Sequence, residues 1–310
     1  MLAALLGNDK IPHALVFTGL EGTGKIAAAT TFAMACNCMA AKPGDGNDPD
    51  SGLQGAAALP VCGRCRACRK IKSANHPDIL HLKPSGDSIK VKQIRELLAT
   101  IALRPFEAKI RVVILQEAHT LNPSAGNALL KALEEPPGNT VFILTTGALS
   151  GLMPTIVSRC QHVRFRPVDR EVIARALIDA REITPPDAVL AARLSEGSFK
   201  RALQMLDSDW MQYRRWLLEE IAVLSDRSPG VLLALAAALA GRKERIADAL
   251  AILNSWFRDL LVCRYTPGRL INQDFETLVQ AAAQKETAES LLKKLKALDT
   301  VSSRSRAMPI

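Results

Sequence analysis

At 310 residues, 48% hydrophobic and 23% charged, the chain has room for two or three domains and the profile of a soluble globular protein. Seven cysteines argue against a disulfide framework and for a reducing, cytoplasmic setting; no secretory leader opens the chain, and its longest small-apolar run, Val231–Ala240, falls short of the roughly 20 residues a bilayer-spanning helix needs and suits a buried helix. Lys and Arg (40) exceed Asp and Glu (31) by a net +9, which admits a nucleic-acid partner without requiring one, because the basic residues are spread along the chain and form no arginine-rich arm.

In chain order, Leu15–Thr18 reads as a buried strand. Gly19-Leu20-Glu21-Gly22-Thr23-Gly24-Lys25 follows it and a helical stretch comes next, so Gly-x-x-x-x-Gly-Lys stands in its required context. Glycines let backbone N–H groups turn inward around phosphate oxygens, Lys25 adds a point charge, and the helix dipole adds to both. The next residue would normally be Ser or Thr, whose hydroxyl holds magnesium; here it is Ile26. Residues 40–60 are rich in Gly, Asp, Pro and Ala, lack periodicity, and are expected to form a mobile surface loop. Beyond them, Cys62, Cys65 and Cys68 are spaced so that their thiolates can converge on one ion. A fourth ligand, with Cys38 and Cys36 both upstream, would complete a tetrahedral structural zinc site with no open catalytic position. Cys160 and Cys263 are isolated and read as ordinary buried thiols.

Three more apolar runs, Ile79–Leu82, Val112–Leu115 and Val141–Leu144, alternate with helical stretches and indicate a parallel sheet covered on both faces. Gln116 follows the third strand where an Asp would hold magnesium, and a neutral amide is a poor ligand for that ion. Glu117 keeps the water-activating position as a vestigial base, and the two losses together weigh against a working magnesium–ATP site. Asn122-Pro123 opens a helix that stops at Pro136-Pro137. After about Pro167 the strands cease. The expected fold is therefore an α/β phosphate-loop module (1–167) with a zinc-binding insertion (38–68), a small helical lid (168–208) and an all-α domain (209–310).

Several segments carry a family likeness: Ile11–Gly19 into the phosphate loop, the Cys62-Cys65-Cys68 knuckle, His76-Pro77-Asp78, Asn127–Pro137 and Pro154–Cys160. On these the chain resembles the bacterial DNA polymerase III clamp-loader subunits of the AAA+ class, over nearly its whole length and most densely from 11 to 165. In that family the gamma/tau subunits are ATP-hydrolysing motors, whereas the delta-prime kind typically has a degenerate nucleotide site and lends an arginine to a neighbour. Ile26 and Gln116 match the delta-prime kind, as does Trp256–Leu261 in the helical domain, which looks like its oligomerising collar.

The resemblance implies a non-hydrolysing stator in DNA replication, a non-catalytic subunit of the polymerase holoenzyme that helps load the sliding clamp on primed DNA. It implies gamma/tau and delta subunits as partners, with clamp and primed DNA met through the assembled complex, and no membrane. By position, Arg159 would be the arginine finger acting in trans, Thr145 or Thr146 (Thr146 by preference) a sensor, and Cys38 the first zinc ligand. Gly19, Gly22, Gly24 and Lys25 would form the remnant phosphate site, and Lys200 stands where active relatives carry a sensor arginine. The alternative is an active gamma/tau-like ATPase; a third reading is an AAA+ repair or recombination ATPase. Three departures stand out: only Met1–Lys10 precede the Ile-Pro-His stretch, the loop between Cys38 and Cys62 is long, and Val301–Ile310 does not match the family's usual ending.

Overall fold

The computed structural model describes residues 2–7, 11–40, 59–181, 183–223 and 229–307. Most of the loop expected to be mobile, and the last residues of the tail, lie outside them. The chain divides into two compact units, Met1–Asp169 with Gly197–Lys200, and Arg170–Glu196 with Arg201–Ile310.

In the first unit, strands β1 (Ala14–Thr18), β2 (Ile79–Leu82), β3 (Arg111–Leu115), β4 (Thr140–Thr146) and β5 (Gln161–Arg164) form one parallel sheet in the order β2-β3-β4-β1-β5. Strand side chains alternate between faces, so the apolar runs feed two cores. Leu15, Phe17, Val112, Ile114, Val141 and Ile143 pack beneath α1 (Leu2–Gly7), α2 (Lys25–Asn37) and α3 (Arg66–Lys72). Val16, Val113, Leu115, Phe142 and Leu144 pack beneath α4 (Val91–Ile101), α5 (Pro123–Glu134) and α6 (Pro154–Val157). The four expected strands are present. The fifth, β5, went unread because Val163 is its one buried side chain, which leaves no apolar run to find.

The His76-Pro77-Asp78 segment ties the approach to β3 in place. The buried Asp78 carboxylate accepts the N–H groups of Phe106, Glu107 and Ala108 at 2.9, 2.8 and 2.9 Å and pairs with the buried Arg111 guanidinium at 3.3 Å. Burial works against the charged carboxylate, but the three backbone N–H groups and Arg111 outweigh it and hold its pKa below the usual value. Asp78 therefore contributes stability that is full above roughly pH 4, the unfolded carboxylate range, and that is lost as pH falls through the lower folded pKa. Asp78→Ala leaves Arg111 buried beside three unpaired N–H groups, and we expect it to cost about 3–5 kcal/mol in chemical denaturation. A loss below 1 kcal/mol would show that the segment relaxes to water.

Among its described residues the second unit has no strand and is built from helices: α7 (Arg170–Arg181), α8 (Pro185–Leu194), α9 (Phe199–Asp207, from Arg201 onward), α10 (Trp210–Ala222), α11 (Pro229–Ala240), α12 (Ile246–Cys263), α13 (Glu276–Lys285) and α14 (Ala288–Ala307). Trp256, Leu217, Leu260, Val279 and Leu291 form its core. Inside that core the fully buried Asp259 accepts the N–H groups of Ile271 and Asn272, and Asn272 in turn receives a bond from the buried Arg214. Helix α11 contradicts the sequence reading of Val231–Ala240 as buried. Only Val231, Leu235 and Leu239 are half-buried, while Leu232 and Leu233 are 49% and 72% exposed. Its composition is apolar on every side, so sequence alone could not show that one stripe is covered and the rest open.

Candidate functional site

The cysteine cluster is built by two chain ends meeting. Helix α2 ends at Asn37, whose buried side chain accepts N–H groups of Lys109 and Ile110, and Cys38 follows as its C-cap in extended conformation. Cys62, Cys65 and Cys68 lead into α3, with Cys65 as its N-cap. The four sulfurs lie within 4.8 Å of one another. Tetrahedral zinc with bonds of roughly 2.3 Å needs sulfurs about 3.8 Å apart, so small closure suffices. Backbone N–H groups already point at the sulfurs: Cys62 N–H to Cys38 Sγ at 3.5 Å, Cys65 N–H to Cys62 Sγ at 3.4 Å and Cys68 N–H to Cys65 Sγ at 3.5 Å. At Cys65 burial raises the thiol pKa, but hydrogen bonds from Met39 and Cys68 overcome this and bring it down to about 6, while burial pushes Cys68 up. A divalent ion bound here would displace the proton that burial keeps on Cys68. Cys36 is not part of it; its thiol packs on the sheet core, where burial pushes it up to about 12. Cys160 is likewise raised by burial, to about 11, and Cys263 is half-buried in the helical unit.

The phosphate loop connects β1 to α2 with left-handed glycines. Gly19 has φ +143° and Gly22 φ +78°, and a Cβ at either would strike Phe165 O at 2.3 Å or Ser198 Oγ at 2.1 Å. The Lys25 ammonium turns back to donate to Gly19 O at 2.6 Å and Leu20 O at 2.8 Å, and Thr23 donates to Leu20 O. Burial lowers the Lys25 pKa, against the opposing charge of Glu21. Residues 197–200 press against the loop, with Phe199 N–H donating to Gly22 O at 3.0 Å and Lys200 paired to Glu21 at 2.7 Å. The Lys200 hydrogen bond lowers the Glu21 pKa. Spacing arguments could not find these contacts, because Glu21 and Lys200 are 179 residues apart.

Ile26, in the first turn of α2, presents a 42% exposed hydrocarbon, and the buried Gln116 follows β3 and donates its N–H to Leu82 O. Glu117 is exposed in a left-handed conformation, φ +51°, and donates its N–H to Thr145 Oγ1 at 3.2 Å. Thr146 lies beside Thr18 at the sheet end, and its hydroxyl donates to Ala148 O at 3.0 Å. Arg159 follows α6, partly exposed. Its guanidinium pairs with Glu134 at 2.6 Å and donates to Thr155 O at 2.8 Å, a partner the sequence reading missed.

A family model described as DNA polymerase III, delta subunit, matches residues 1–169, and one described as its C terminal matches 208–309. The second match runs into Val301–Ile310, so the expected departure from the family's ending does not hold. The chain is 31% identical to the Bacillus subtilis (strain 168) DNA polymerase III subunit delta' over 71% of this chain and 62% of that protein. It is 34% identical to the Mycoplasma pneumoniae subunit gamma/tau over 64% and 28%, and 30% identical to the B. subtilis subunit tau over 84% and 47%. The matches thus span less than two thirds of each of these relatives. Among the described residues no helix is long and apolar enough to cross a membrane.

Proposed function

Because the chain belongs to the DNA polymerase III delta-subunit family, we propose that it serves as the delta-prime-like stator of a clamp loader. On this reading the first unit is an AAA+ module without ATP turnover of its own. Residues 168–208 act as a lid and 209–310 as a collar that joins gamma/tau and delta subunits. Together they place a sliding clamp on primed DNA. Cys38, Cys62, Cys65 and Cys68 hold a structural zinc ion, which folds the knob and takes no part in chemistry. Arg159 reaches the nucleotide bound by a neighbour.

The observation that carries the reading is the paired substitution at the magnesium contacts, Ile26 and Gln116. A hydrocarbon and an amide stand where a hydroxyl and a carboxylate would bind the ion, and without magnesium the charge of a leaving phosphate goes unneutralised.

The test is ATP turnover by the purified chain with magnesium, beside Lys25→Ala. Both are expected at background. Turnover that disappears in Lys25→Ala would make the chain a gamma/tau-like motor instead.

A further inference from the structure

The knob carries a charge pattern that the stator role does not use. Between Leu59 and Asn75 the sequence has Arg64, Arg66, Arg69, Lys70 and Lys72 and no acidic residue. Helix α3 sorts them by face: Cys68 and Ile71 are buried, while Arg66, Arg69 and Lys72 are exposed, as is Arg64 in the knuckle before it. One carboxylate, Glu107, faces this group, taking Lys70 at 2.6 Å and Arg66 at 3.8 Å, with His76 also at 3.8 Å. No ion pair among the described residues engages Arg64, Arg69 or Lys72; Asp45, Asp48 and Asp50 lie outside those residues. Four thiolates around a divalent ion offset part of the charge from within, yet the outer face keeps a positive excess.

The chemistry of that face is narrow. Residues 59–75 include no Phe, Tyr or Trp, so no aromatic ring there offers a stacking platform for unpaired bases. Guanidinium and ammonium groups in a short array match repeating phosphates. We propose that the outer face of the knob binds the phosphodiester backbone of duplex DNA without reading its sequence. The inference goes beyond the stator reading and holds for either kind of subunit.

Fluorescence anisotropy with a labelled random-sequence duplex and the zinc-loaded full chain, over a salt series, tests it. The variant Arg64→Ala/Arg69→Ala/Lys72→Ala should bind about tenfold or more weakly at low salt. The slope of log K against log salt should flatten by up to about 2.7, near 0.9 per lost contact. Arg64→Lys/Arg69→Lys should keep the wild-type slope. Wild-type affinity and slope in the metal-loaded triple variant overturn the proposal, as does competition by poly-glutamate equal to that by DNA. If the triple variant loses its metal, Arg69→Glu alone decides by the same two readouts.

Discussion

If Arg159 acts in trans as proposed, Arg159→Ala is expected to slow ATP hydrolysis at a neighbouring subunit's site by roughly 10³–10⁵-fold, while the chain by itself stays folded and metal-loaded. Arg159 follows the one-turn helix α6 and its C-cap, Ser158. Its bonds to Glu134 and Thr155 fix the direction of the guanidinium but leave it partly open to solvent. An exposed pair of this sort contributes little to stability, so removing it should not unfold the module. The expected loss is therefore confined to the assembly, read as DNA-stimulated ATPase and clamp loading with gamma/tau and delta subunits present. Lysine should not rescue it, because a point charge does not reproduce the planar fork. A reconstituted loader that performs equally well with Arg159→Ala would leave the arginine with its ion pair alone.

Metal removal should have the second large effect. One zinc per chain is expected. Structural zinc contributes apparent free energies of about 10–16 kcal/mol in small sites, far beyond what one short helix can recover. A chelator should open residues 59–75 to hydrogen exchange while the five-stranded sheet stays protected, since its two cores do not include the cluster's sulfurs. Cys38→Ser should lose the metal and Cys36→Ser should keep it. Equal metal content in both variants, measured under reducing conditions, would remove Cys38 from the site.

The contrast between those cysteines shows what could and could not be read in advance. Cys62, Cys65 and Cys68 were legible because local spacing alone brings them together. Local spacing could not choose the fourth member, which only the family likeness pointed to as Cys38, because Cys36 and Cys38 are two residues apart and the choice depends on where α2 stops. Asn37 decides it by anchoring the helix end to the 109–110 loop, which leaves Cys36 against the core and brings the buried Cys38 to the other three sulfurs. The strands were legible for a related reason: β1, β3 and β4 are buried on both faces, so each is a continuous apolar run. Neither Glu134 opposite Arg159 nor residues 198–200 against the phosphate loop follows any local period. Both are products of tertiary folding, and both bear on the proposed function more directly than the strands do.

Helix α11 bears on the fate of a copy without partners. Leu232 and Leu233 stand open on a helix with few polar groups to keep it in water. A twelve-residue helix is marginal without packing, so this segment should fray often and offer itself to proteases and to other apolar surfaces. Partner subunits that cover it would shift that balance by mass action. Excess chains would then be cleared or would self-associate, and the amount that persists would be set by the supply of partners more than by the strength of its own core.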